Sequence, residues 1–75
     1  MPPLPRLTAR ELLKKLRRLG FIDVRQRGSH LLIHHVGNPG RYAIIPVHSQ
    51  HIIPPGTLKH ILDSAQVTVE MLDEI

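Results

Sequence analysis

The chain contains no cysteine and no tryptophan, a single phenylalanine and a single tyrosine, and no apolar run longer than a few residues. Without cysteine there are no disulfide staples and no thiolate metal ligands, which fits a reducing compartment. No stretch approaches the roughly 20 apolar residues of a membrane-spanning helix. The start, Met1 to Leu7, is proline-rich rather than a basic segment followed by an apolar signal core. We therefore expect a protein that is neither exported nor held in a membrane and that resides in the cytoplasm.

Acidic residues are scarce where they would matter. Residues 1–60 hold all ten lysines and arginines against only Glu11 and Asp23, a formal +8, while the last fifteen hold four acids and no base, a formal −4. The overall charge of +4 thus understates a strongly basic body. Such a body suits a polyanion, and neutralising its phosphates would make binding salt-dependent. The alternative is a surface whose charge serves solubility alone.

Seventy-five residues make one domain, and a chain of this size buries only about 60% of the surface its unfolded form exposes. We read residues 1–7 as a proline-rich N-terminal segment and residues 8–75 as the single domain. The apolar residues available are all needed to join two or three elements, so any site is expected on an open face.

Thr8-Ala9-Arg10-Glu11 fits a capping box, with Leu7 and Leu12 placed for a hydrophobic staple. Leu12, Leu13, Leu16 and Leu19 then recur at helical spacing, and Gly20 supplies a left-handed end. From Phe21 the period becomes two: Ile22 and Val24 alternate with Asp23 and Arg25 before a polar turn, Gln26-Arg27-Gly28. In a second strand, Ser29 to Val36, His30, Leu32, His34 and Val36 share one face and Leu31, Ile33 and His35 the other. Gly37-Asn38-Pro39-Gly40 predicts a tight turn, and Arg41 to Ile45 a third strand ended by Pro46.

After an irregular stretch, Leu58, Ile61, Leu62 and Ala65 return to helical spacing behind Pro54 and Pro55, and Thr68 caps a last short turn with Met71 and Leu72. The expected class is α+β: helix, three-stranded antiparallel sheet, helix and a short C-terminal helical turn, with both helices on one face of the sheet. Double-stranded-RNA-binding domains share that layered arrangement.

Gly20-Phe21, Arg25-Gln26-Arg27-Gly28-Ser29-His30, Ile45-Pro46-Val47-His48, Pro54-Pro55-Gly56-Thr57-Leu58 and Ile61-Leu62 occur in that order. With this spacing, residues 8–72 resemble the HicA toxin family. The resemblance implies an mRNA interferase, the toxin of a type II toxin-antitoxin system, held inactive by a HicB-type antitoxin encoded beside it. It also implies a double-stranded-RNA-binding-like fold and places the family's catalytic histidine on His30. Two features depart from the family pattern: Gln66 stands where a glycine would end the second helix, and the proline-rich start lies outside it.

RNA carries its own nucleophile, the 2′-hydroxyl, so cleavage needs a base for that proton, an acid for the leaving oxygen and positive charge near the phosphorane. Histidine suits the first two roles, because its unperturbed pKa of about 6.5 leaves both protonation states available near neutral pH. His30 is the expected general base. His48, after the third strand, is either the general acid or a loop histidine bonded to backbone. The expected RNA contacts are Arg25 and Arg27, which grip phosphate bidentately, together with His34 and Arg41. Gly28 admits close approach of the RNA backbone, and Ser29 donates a hydrogen bond or shapes the turn.

Lys14, Lys15, Arg17, Arg18 and Lys59 either extend the phosphate track or solvate the helix faces. His48-Ser49-Gln50-His51 has metal-ligand spacing, but with no cysteine and two acids in the basic body neither a metal nor any other cofactor is expected. Two aromatics are too few for a row of stacking platforms, so recognition is expected mainly through backbone and shape. The competing reading is a non-catalytic basic RNA-binding module of the same fold.

Overall fold

A computed structural model describes residues 3–48 and 50–75; the first two residues of the proline-rich start, and Ser49 within the His48–His51 spacing, lie outside the described residues. The order is α1 (Ala9–Arg18), β1 (Phe21–Arg27), β2 (His30–His35), β3 (Asn38–Pro46), α2 (Pro55–Ala65) and α3 (Val69–Asp73). The sheet is antiparallel in the order β1-β2-β3. This is the expected α+β arrangement. No helix among the described residues is long and apolar enough to cross a membrane.

Helix α1 begins as its sequence specifies: Thr8 Oγ1 accepts from the Glu11 N–H at 3.3 Å, and Glu11 Oε1 accepts from the Thr8 N–H at 2.9 Å. The Thr8 backbone N–H first, and the Thr8 side chain after it, hold the Glu11 carboxyl below its ordinary pKa. Leu12, Leu13 and Leu16 point inward from α1, and Leu58, Ile61, Leu62 and Ala65 from α2. They meet Leu31, Ile33, Ala43 and Ile45, the inward residues of β2 and β3, in one core. Leu7 is buried in it as well, and the Ile53 N–H donates to Leu7 O at 2.8 Å, joining the proline-rich start to the segment before α2.

The turns fall slightly away from their predicted places. Gln26 and Arg27 pair with Leu31 and His30 as strand residues, leaving Gly28-Ser29 as a two-residue hairpin loop. Gly28 takes φ +60 at the first central position, as a type II′ turn requires, and nothing lies within 4 Å of where its Cβ would be. The second hairpin turns at Val36-Gly37, and Asn38-Pro39-Gly40 belongs to β3, where the register slips by several residues between His34 and His35.

The glycine absent from the end of α2 has a structural counterpart. Gln66 caps that helix in the left-handed region, at φ 57 and ψ 44, a conformation that costs a residue with a Cβ roughly 1–2 kcal/mol. We predict that Gln66→Gly stabilises the domain by about 1 kcal/mol, a rise in melting temperature of roughly 4–8 °C for a domain of this size. Thermal unfolding followed by circular dichroism checks this, and a fall in melting temperature would refute the strain.

Candidate nucleic-acid interface

The content of the open sheet face is decided by the register of β1. Phe21 is buried opposite His35, and in a regular strand the residues at 23, 25 and 27 would all follow it toward the helices. Asp23 does so: Arg17 of α1 holds its carboxylate with Nη2 at 2.9 and 3.2 Å. Then the register shifts. Asp23 pairs with Ile33 but Arg25 with Leu32, so Val24 is an extra residue, and beyond this bulge the parity of the strand is inverted. Arg25 and Arg27 thereby stand beside Leu32 and His30 on the face away from the helices.

That face is a three-by-three grid. One row is Arg27, His30 and Pro46, the next Arg25, Leu32 and Ile44, and the third Ile22, His34 and Tyr42. Arg25, Arg27, His30, Leu32 and Ile44 line an open hollow of ≈ 240 Å³. None of these five is a carboxylate, so the hollow is cationic on one side and apolar on the other. A larger hollow of ≈ 330 Å³, between Leu4, α2 and Val67–Glu70, lies on the helix side. Its charged residues include Lys59 and Asp63, themselves paired at 3.8 Å.

The histidines divide by face. His30 is exposed, with Ser29 Oγ at 3.4 Å from its Nδ1, a long contact that leaves Nε2 open to solvent. His34 is half-buried, and its Nδ1–H donates to the His35 carbonyl at 3.1 Å, which leaves Nε2 as the acceptor of the neutral ring. His35 points the other way. Its Nε2–H donates to Leu19 O at 3.0 Å, its Nδ1 accepts from the Gly37 N–H at 3.0 Å, and its ring meets Phe21 edge-on at 5.4 Å. The imidazole leaves no space at Gly20, whose φ is +100 and whose Cβ would lie 2.9 Å from Nε2. His48 is exposed in the turn beyond Pro46, the cross-strand partner of His30, and the Val47 N–H donates to Ser29 O at 2.8 Å.

Arg25, Arg27, His30 and His34 are thus brought to one face, with Gly28 and Ser29 forming the turn at its edge. Arg41 is not. Its side chain lies over Phe21, 5.4 Å from the ring centroid, and donates to Ala65 O at 3.0 Å and Gln66 O at 3.4 Å, binding the end of α2 to β3 on the helix side. The exposed apolar residues Ile22, Tyr42 and Ile44 also occupy the open face, at 44%, 47% and 53% exposure. Sequence reasoning did not assign them there, although the alternation of β3 around the buried Ala43 and Ile45 contains the signal.

Residues 9–67 of this small basic α+β domain match the family model described as HicA toxin of bacterial toxin-antitoxin. The chain belongs to the HicA toxin family, and its counterpart is an antitoxin. No curated protein matches the chain.

Since Val24 is the extra residue of β1, deleting it straightens the strand and leaves Arg25 opposite Leu32 and Arg27 opposite His30, still on the open face. On immobilised heparin, a polyanion, a folded Val24-deletion variant is therefore expected to elute at the same salt as wild type. In a strand without the bulge the deletion would turn both arginines over, so elution at a clearly different salt would refute this account of the register.

Proposed function

We propose that the chain is an mRNA interferase, an endoribonuclease that cuts RNA on the open sheet face and so arrests translation in the cytoplasm. The observation that supports this reading is the convergence of Arg25, Arg27 and His30 on one hollow. In this mechanism the 2′-oxygen attacks the adjacent phosphorus while His30 takes its proton, and the guanidinium groups of Arg25 and Arg27 meet the charge that develops on the phosphorane. The 5′-oxygen leaves with a proton, for which His48 is the candidate donor, giving a 2′,3′-cyclic phosphate and a free 5′-hydroxyl. The nucleophile belongs to the substrate, so the chemistry calls for no metal. A HicB-type antitoxin silences the toxin by covering His30 or by distorting the sheet beneath it.

His30→Ala is expected to slow cleavage of an RNA transcript in EDTA by about 10²- to 10⁴-fold, the usual contribution of a positioned acid–base group, while circular dichroism shows an intact fold. Cleavage at the wild-type rate would reject the mechanism. Phosphate contact has its own signature. Replacing both Arg25 and Arg27 by glutamine should reduce the slope of log affinity for single-stranded RNA against log salt by about 1.4. Salt-dependent retention of RNA by wild type with no cleavage at any pH would make the chain a binding module instead.

A further inference from the structure

The row farthest from the Gly28-Ser29 turn is not part of the hollow: Ile22, His34 and Tyr42 lie side by side across β1, β2 and β3. It carries no permanently charged side chain. Directly opposed residues place their Cβ atoms about 5 Å apart, so the Tyr42 ring and the His34 imidazole border one another on the open face. Ile44 lies on the same side of β3, two residues from Tyr42 or about 6.7 Å. In the uncharged ring, the bond from His34 Nδ1–H to the His35 carbonyl makes Nε2 the acceptor.

A flat apolar surface with one phenol ring and one fixed acceptor, beside two arginines, matches the chemistry of a nucleobase attached to a phosphate. Bases stack on aromatic rings whatever their identity, because each has a π-face. A duplex cannot use such a surface, since its bases are stacked on one another and it offers proteins its backbone and grooves. The overall layering resembles duplex-binding domains, but the exposed side chains of this sheet suit an unpaired strand. We infer that Tyr42, Ile22 and Ile44 form a subsite for one unpaired base next to the phosphate held by Arg25 and Arg27. His34 Nε2 accepts a hydrogen bond from an amino or ring N–H of that base. The subsite lies about 13 Å along β2 from His30, too far for His34 to act on the same phosphate, so its role is to select and seat the substrate. The inference rests on the reading of this face as the RNA-cleaving surface.

Tyr42 is the only tyrosine and there is no tryptophan, so ultraviolet emission reports on this subsite alone. The probe is a short, fluorescently labelled 2′-O-methyl oligoribonucleotide of mixed sequence, which lacks the nucleophile and is not cut, used single-stranded and annealed to its complement. The single strand should bind and quench Tyr42, and the duplex should bind more weakly without quenching. Tyr42→Ala should weaken single-strand binding about 5- to 150-fold, the loss of one stacked base, and Tyr42→Phe should retain it. Binding of the single strand without quenching, equal affinity for the duplex, or undiminished binding by a folded Tyr42→Ala protein would each overturn the subsite. Undiminished RNA binding combined with lost antitoxin binding in that variant would assign the row to the protein partner. Quenching by a wild-type protein that cuts no RNA rejects the cleavage reading and leaves the subsite standing. Cleavage without quenching rejects the subsite alone.

Discussion

Two helices cover one face of a three-stranded sheet, and among the described residues no element covers the other. Ala43, Ile33 and Ile45 are completely buried under Leu12, Leu16, Leu58 and Ile61, and this packing uses the apolar side chains that a domain of this size can collect. Ile22, Tyr42 and Ile44 stay exposed because no described element packs over them. A second layer over the sheet would bury them together with His30, Arg25 and Arg27. The face left open is the one on which Arg25, Arg27 and His30 stand.

Much of this was legible beforehand. The capping box at Thr8, the leucine spacing of α1, the alternation of β2 and the prolines opening α2 each encode local structure through short-range physics, and each element forms where its pattern lies. What was not legible depended on pairing. Gln26 and Arg27 read as a turn because they are polar, yet they sit on an edge strand whose sides are both open to water. Asn38-Pro39-Gly40 has turn composition but lies in β3, where a slipped register accommodates Pro39 and Gly40. The bulge left no trace in the periodicity, since Phe21, Ile22 and Val24 are apolar on both sides of the strand.

Charge was the least legible quantity of all, because one arginine looks like another until it is packed. Arg17 is paired with Asp23, Arg41 closes the end of α2, and Lys15 Nζ donates to Leu72 O at 3.0 Å and Ile75 O at 3.1 Å, capping α3. These three hold elements together. Arg10, Lys14 and Arg18 are exposed along α1, on the far side of the sheet from His30. The positive charge beside the histidine is thus supplied by Arg25 and Arg27. The histidines separate in the same way: His35, with both ring nitrogens bonded to backbone, fastens the end of α1 to the β2–β3 turn.

Val24 stores information of an unusual kind. Its side chain is 46% exposed, so almost any residue could occupy the position, and what it contributes is one unit of count. The strand behaves like a reading frame that is offset at this point and then fixed again by the Gly28-Ser29 turn. Mutational drift at residue 24 is consequently expected to be silent, and comparison of related toxins by residue identity would score the position as unimportant. Loss of residue 24 would merely straighten the strand, whereas loss of Gln26 would bring Arg25 opposite Leu31 and turn it toward the helices with both arginines still in the chain.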